Sequence, residues 1–194
     1  RRKNTVGVGH AQHRNLTEDG EDQAQQRLAT SLALVGQSGS TYLFEATPDI
    51  RPQLDRVTAL GQARGRADAG RKYLDGIFVT HAHMGHYTGL MHLGFEAAHA
   101  QGVPLWASKK MVEFLSSNEP WKQLIGLDNI VPKTAAIDLS VELDGGIRAR
   151  PRLVPHRDEV SDTVAWRIEG PRKTLLFLPD CHPWERWEAR YGLD

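Results

Sequence analysis

The stretch that decides the fold reads Thr80-His81-Ala82-His83-Met84-Gly85-His86-Tyr87, and it follows an apolar segment at residues 76–79. That segment, Gly-Ile-Phe-Val, is typical of a strand that is covered on both faces. Side chains two positions apart on an extended chain point to the same side, so His81 and His83 are predicted to face one point. Gly85 is predicted to provide a sharp turn that brings His86 back toward that point.

Three imidazoles just after a buried strand indicate a metal site. Neutral imidazole nitrogens suit Zn²⁺ and other borderline divalent ions. The alternative is a loop with incidental histidines, and three histidines within six residues make it the weaker interpretation. We therefore predict that His81, His83 and His86 are metal ligands.

Two later side chains fit the same centre, because His156 and Asp180 each follow a predicted strand. Loops at strand ends build the sites of layered α/β proteins. Taken alone, His156 would be a surface histidine and Asp180 would cap the following helix. Their position after the histidine cluster makes both predicted metal ligands.

Length and composition limit the classes of protein to which this chain can belong. The chain has 194 residues, which predicts one domain over residues 1–194, and its 24 basic and 24 acidic side chains cancel. This balance argues against generic binding to nucleic acid or to anionic membranes. The single cysteine, Cys181, excludes an internal disulfide and a cysteine-based zinc cluster. Because no apolar run has the length of a membrane span or a signal peptide, we expect a cytoplasmic protein.

Alternating strands and short helices predict a mixed α/β layered fold. Strands are predicted at residues 32–35, 41–44, 76–80, 103–106, 147–154, 163–168 and 174–178. Helices are predicted at residues 50–60, at residues 89–99, after the N-cap Ser108, and at residues 184–191. Residues 10–30 are predicted to form a loop or surface helix, and residues 5–9 could form an opening strand.

The order HxHxxH, then His156, then Asp180 resembles the metallo-β-lactamase superfamily. Three stretches also resemble the coenzyme PQQ biosynthesis protein B branch of that superfamily: ATPDIRxQL at residues 46–54, HYTGL at residues 86–90 and VPHRDE at residues 154–159. The resemblance extends from about Ala29 to Trp187. It implies an αββα sandwich with the metals at one edge of the two sheets.

The resemblance also assigns ligands. His81, His83 and His156 would form a first metal site, with Asp180 bridging or adjacent, and His86 would belong to a second. Position 85 is glycine where the superfamily usually has an aspartate ligand, and no histidine follows His182 to match the final one of the superfamily. We therefore expect one zinc, a second only if further sequence supplies a ligand, and a chain incomplete at its C-terminus. Iron and manganese are the alternative metals.

Such a site predicts a hydrolase acting through a metal-bound hydroxide on an ester, amide or phosphodiester of a small-molecule substrate. Asp180 could act as the base, or Asp49 could assist, although Thr47-Pro48-Asp49 is also turn chemistry. One alternative is an iron-dependent enzyme that activates oxygen, as the PQQ branch allows. Another is a non-catalytic member that binds a ligand or partner, which Gly85 and the lack of a histidine after His182 favour. No oligomeric state is predicted.

Side chains near these ligands have two interpretations each. Arg157 could hold an anionic group of a substrate, or it could pair with Asp158 or Glu159. Trp184 and Trp187 are predicted to pack in the core, with a substrate wall as the alternative. Cys181 is predicted to be a small buried residue.

Overall fold

Two β-sheets packed face to face form the centre of the molecule in the computed structural model, which describes residues 14–16, 22–24, 27–67 and 70–191. A separate antiparallel pair precedes them, formed by β1 (Arg14–Leu16) and β2 (Asp22–Ala24). The prediction of a loop or surface helix is therefore wrong for these six positions, because backbone pairing needs no apolar side-chain pattern. The opening strand predicted at residues 5–9 lies outside the described residues.

The first sheet has five strands in the order β3-β4-β5-β6-β7. They are β3 (Leu32–Val35), β4 (Thr41–Phe44), β5 (Gly76–Phe78), β6 (Val103–Ala107) and β7 (Ile130–Thr134). The predicted hairpin is confirmed by the antiparallel pairing of β3 with β4, and the remaining pairs are parallel. All three residues of β5 are buried, as its apolar sequence predicts.

The second sheet has four antiparallel strands in the order β11-β10-β9-β8. They are β8 (Val141–Glu142), β9 (Arg148–Leu153), β10 (Val164–Glu169) and β11 (Thr174–Phe177). The last three confirm the predicted strands, whereas β7 and β8 were not predicted.

Helices cover the other face of the first sheet. They include α1 (Ile50–Gln62), α2 (Met84–Tyr87), α3 (Lys109–Ser117) and α4 (Trp121–Gly126), and α5 (Trp184–Tyr191) follows the second sheet. The hydroxyl of Ser108 accepts a hydrogen bond from the Met111 amide, which confirms the predicted N-cap of α3. The helix predicted at residues 89–99 is wrong. A 3₁₀ helix (Thr88–Leu93) ends where Gly94 takes an extended conformation.

Aromatic side chains fill the space between the two sheets. The rings of Phe44 and Phe78 stack with centroids 4.6 Å apart, and Trp166 from the second sheet meets Phe78 edge-on at 4.9 Å. Large buried rings of this kind contribute both apolar area and directional ring contacts. The resulting layers of helix, sheet and sheet confirm the predicted mixed α/β fold.

Hydrogen bonds also join the two sheets at the end of β5. The Val164 amide donates to the Thr80 carbonyl (3.1 Å), and the Ala82 amide donates to the Ser161 hydroxyl (2.9 Å). These bonds hold the segment after β5 against the start of β10. Across the described part of the chain, every helix is too short or too polar to cross a bilayer.

Candidate metal centre

The segment after β5 presents its histidines as the spacing predicts. His83 has an extended backbone (φ −94°, ψ 140°) and lies at the N-cap of α2. The His86 amide donates to the His83 carbonyl (2.9 Å), so one helical turn brings His86 back toward the preceding histidines. Gly85 lies inside α2, without a positive φ and with open space around it. The prediction that this turn depends on glycine is therefore wrong.

Four of the five predicted ligands converge. His81 Nε2 and His83 Nδ1 are 2.8 Å apart, and His83 Nδ1 is 3.2 Å from His156 Nε2. Asp180 Oδ2 lies 3.7 Å from Nε2 of both His81 and His156. One donor atom from each of these four residues lies within 4.8 Å of every other.

The geometry and chemistry of this donor set fit a tetrahedral divalent metal. Bonds of about 2.0–2.1 Å in a tetrahedron separate donor atoms by about 3.4 Å, and the spacings given above range from 2.8 to 3.7 Å. Three imidazoles with one carboxylate suit zinc, and imidazole–carboxylate sets also accept iron. The centre therefore has the ligands that a metal ion needs.

The second ring nitrogens of two ligands have polar partners. His81 Nδ1 lies 2.8 Å from the Thr80 hydroxyl, and His83 Nε2 lies 3.1 Å from Glu159 Oε2. When each ring donates its proton to that partner, the lone pair of the other nitrogen faces the centre.

Burial keeps two of the ligands uncharged. Desolvation, with the nearby charges of His86 and His83, lowers the pKa of His81 to about 2. Burial also lowers the pKa of His156, although the charge of Asp180 opposes that shift. Both rings are therefore neutral at neutral pH, the form that binds a metal.

His86 lies beside the four donors and contacts two carboxylates. Its Nε2 is 3.1 Å from Asp180 Oδ2, and its Nδ1 is 3.4 Å from Glu45 Oε2. Burial by itself would lower the pKa of His86, but the contacts with Glu45 and Asp180 together raise it. A protonated His86 would orient the Asp180 carboxylate rather than bind a metal.

Glu45 is the functional candidate that sequence reasoning missed. Its side chain is fully buried directly after β4, and its Oε1 accepts a hydrogen bond from the Thr80 amide (3.2 Å). Its φ of 76° is strained for a non-glycine residue, a feature that clusters at functional sites. Burial raises the pKa of this carboxyl group, while His86 opposes the shift. In the sequence, the only sign that Glu45 has a functional role is its position directly after an apolar strand.

Asp49, the second candidate base, forms hydrogen bonds with two neighbouring segments of the chain. Its Oδ2 accepts a hydrogen bond from the Ala29 amide (2.7 Å), and its own amide donates to the Thr47 hydroxyl (3.1 Å). Gln53 extends this network by donating to the Ala29 carbonyl (3.0 Å). The bond with Thr47 lies within the predicted turn, whereas the bond with Ala29 joins the start of α1 to the segment before β3.

The structure also bears on three predictions for side chains near the centre. Cys181 is exposed, so the prediction of a buried thiol is wrong. Trp184 stacks on Trp187 with centroids 4.9 Å apart and remains 55% exposed, so the core prediction is wrong for Trp184. Arg157 lies 3.9 Å from Glu159, one of the two partners considered for it.

Comparison with known proteins gives the family. A family profile described as a β-lactamase superfamily domain matches residues 40–194, most of the chain. The chain belongs to the metallo-β-lactamase superfamily. The four residues that converge, His81, His83, His156 and Asp180, occur in the order that the sequence resemblance to this superfamily implied.

Within the superfamily the chain is similar to coenzyme PQQ synthesis protein B. The Methylobacterium sp. (strain 4-46) protein is 26% identical over 87% of this chain and 58% of its own length. The Azoarcus sp. (strain BH72) protein is 30% identical over 88% of this chain and 60% of its own length. The chain thus spans about three fifths of the length of these relatives.

A solved structure supports the fold. The Zn²⁺-bound PqqB from Methylobacterium extorquens aligns with a TM-score of 0.64 at 21% identity, covering 83% of this chain and 56% of that protein. At this identity the likeness establishes the metallo-β-lactamase fold.

Proposed function

We propose that this chain is a metal-dependent hydrolase that acts on an ester, amide or phosphodiester of a small-molecule substrate. The observation that carries the proposal is the convergence of three imidazole nitrogens and one carboxylate oxygen at the edge where the two sheets meet. The three imidazoles and Asp180 would supply four ligands, and zinc can expand to five ligands to take a water or substrate. We expect one zinc per chain.

When bound, a metal in such a site would lower the pKa of a bound water to about 7 and polarise the bond to be cleaved. The protein supplies the arrangement around it. Neutral His81 and His156 need not lose a proton before they bind the metal. Asp180 would bind the metal through Oδ2, which lies 3.7 Å from Nε2 of His81 and of His156, and would accept a proton through its other oxygen.

A panel of chromogenic substrates tests the proposal. Zinc-loaded protein is assayed with a p-nitrophenyl ester, a chromogenic β-lactam and bis(p-nitrophenyl) phosphate. We expect hydrolysis of at least one, a loss of 100-fold or more in His156→Ala, and unchanged rates in the control His92→Ala. Zinc-loaded wild-type protein without activity on the panel would favour a non-catalytic member of the superfamily.

A second candidate is an iron-dependent enzyme that activates oxygen. The similarity to PQQ synthesis protein B favours it, since the relatives carry that name rather than the name of a hydrolase. Metal analysis of protein purified without added metal separates the two. Zinc supports the hydrolase, whereas an iron-loaded sample that consumes oxygen and leaves the panel intact supports the second candidate.

A further inference from the structure

Glu159 has a contact that neither the ligand set nor the sequence comparison explains. It lies on the segment between β9 and β10, and its side chain is 56% exposed. Its Oε2 is nonetheless 3.1 Å from His83 Nε2, across 76 positions of sequence. The contact joins the segment that follows His156 to the segment that follows β5.

The nitrogen that Glu159 contacts is the one that faces away from the donors. His83 directs Nδ1 at His81 Nε2 (2.8 Å) and at His156 Nε2 (3.2 Å). A carboxylate that accepts the proton of the outer nitrogen fixes the orientation of a ligating imidazole and raises the basicity of its inner nitrogen. Thr80 serves His81 in the equivalent way, through Nδ1.

We propose that Glu159 is a positioning residue that holds His83 with its Nδ1 directed at the metal position. The neighbouring cation does not compete for the same oxygen, because Arg157 Nε lies 3.9 Å from Oε1 while His83 meets Oε2. His83 is the most exposed of the three imidazoles of the centre. It is 21% exposed, whereas the His81 side chain is 1% exposed and is held by packing.

This proposal rests on the proposed function, because it requires that the centre binds a metal. Zinc binding by wild type tests the proposed function, and zinc binding by the Glu159 variants tests the role of Glu159. The dissociation constant for zinc is measured by competition with a chromophoric chelator for wild type, Glu159→Ala, Glu159→Gln and the control Glu96→Ala, which alters another exposed glutamate. The Co²⁺ absorption spectrum of each protein reports the geometry around the metal. Thermal unfolding of each metal-free protein reports the fold.

We expect Glu159→Ala to weaken zinc binding by about 10-fold or more and to change the Co²⁺ bands, with an unchanged melting temperature of the metal-free protein. Glu159→Gln retains an acceptor oxygen and should stay within about 3-fold of wild type. The control should match wild type.

Two results would overturn the inference. One is wild-type affinity and spectrum in Glu159→Ala, and the other is an equal loss in the Gln and Ala variants. Failure of wild type itself to bind zinc or Co²⁺ would instead overturn the proposed function, together with the inference that rests on it.

Discussion

The pKa values of the histidines at the centre differ because their surroundings differ. His81 is buried among other imidazoles, and its pKa is lowered to about 2. His86 lies between two carboxylates, and its pKa is raised. One set of rings therefore stays neutral for a metal, while a neighbouring ring can carry charge.

The lowered pKa of His81 predicts an effect of pH on stability. Between pH 6.5 and pH 2 the unfolded chain binds a proton at this residue and the folded chain does not, so the free energy of unfolding falls as pH falls. We expect metal-free wild type to lose about 1 kcal/mol relative to His81→Asn between pH 6.5 and 5.5. Urea unfolding at these pH values measures the difference, and parallel curves for the two proteins would contradict the prediction.

Substitution of the two candidate general bases, Asp180 and Asp49, gives a second prediction for single residues. We propose Asp180, because it adjoins three histidines of the centre, whereas the Asp49 carboxylate is bonded to the Ala29 amide. Asp180→Asn should reduce kcat on whichever substrate is hydrolysed by about 100-fold or more. Asp49→Asn should change kcat less than 3-fold, and the reverse order of effects would assign the base to Asp49.

Sequence reasoning could find the ligands but not the residues that support them. His81 and His83 can be found from the sequence because they lie two positions apart directly after an apolar strand. Glu45 lies 41 positions before the histidine that it contacts, and Glu159 lies 76 positions after its own, so only the folded chain brings them together.

At the scale of elements, the placement of α2 depends on a close approach between backbones. The Ala46 amide donates to the His86 carbonyl (2.8 Å), and the Gly89 amide donates to the Ala46 carbonyl (2.9 Å). A Cβ added at Gly89 would lie 2.0 Å from the Thr47 carbonyl oxygen. The HYTGL stretch therefore needs glycine at this position for a steric reason.

This contact predicts a contrast between two glycines of the same segment. Gly89→Ala should lower the free energy of unfolding by about 2 kcal/mol or more, because rigid backbone has to move, and should weaken zinc binding by displacing α2. Gly85→Ala, with nothing within 4 Å of the added Cβ, should leave both unchanged. Urea unfolding and zinc titration of the two variants check the prediction, and equal effects would contradict it.

The elements that the sequence did not reveal lack the usual signals. The strand β7 contains Pro132, which argues against a strand. The helix α4 spans only Trp121–Gly126, and its N-cap residue is Pro120, which forms no side-chain cap. The strand β8 has two residues. Their positions are set by neighbouring elements, since β7 pairs with the predicted strand β6.

At the scale of the whole molecule, the ligands come from both halves of the sandwich. His81 and His83 follow the first sheet, whereas His156 and Asp180 follow strands of the second. A metal held by all four links the two sheets in addition to their shared aromatic core.

This arrangement predicts that metal stabilises the folded molecule. Free zinc at about 100 times its dissociation constant should add about 2.7 kcal/mol to the free energy of unfolding, raising the melting temperature by about 5–10 °C. The same zinc concentration should shift His156→Ala by less than about 2 °C. Calorimetry with and without zinc measures both shifts, and equal shifts would place the stabilising metal elsewhere.

The most direct measurement is an anomalous difference map at the zinc edge from crystals grown with zinc. The account predicts one strong peak per chain, within about 2.0–2.2 Å of His81 Nε2, His83 Nδ1, His156 Nε2 and an oxygen of Asp180. A map with no peak among these four side chains, or with its strongest peak bound by other residues, would contradict it.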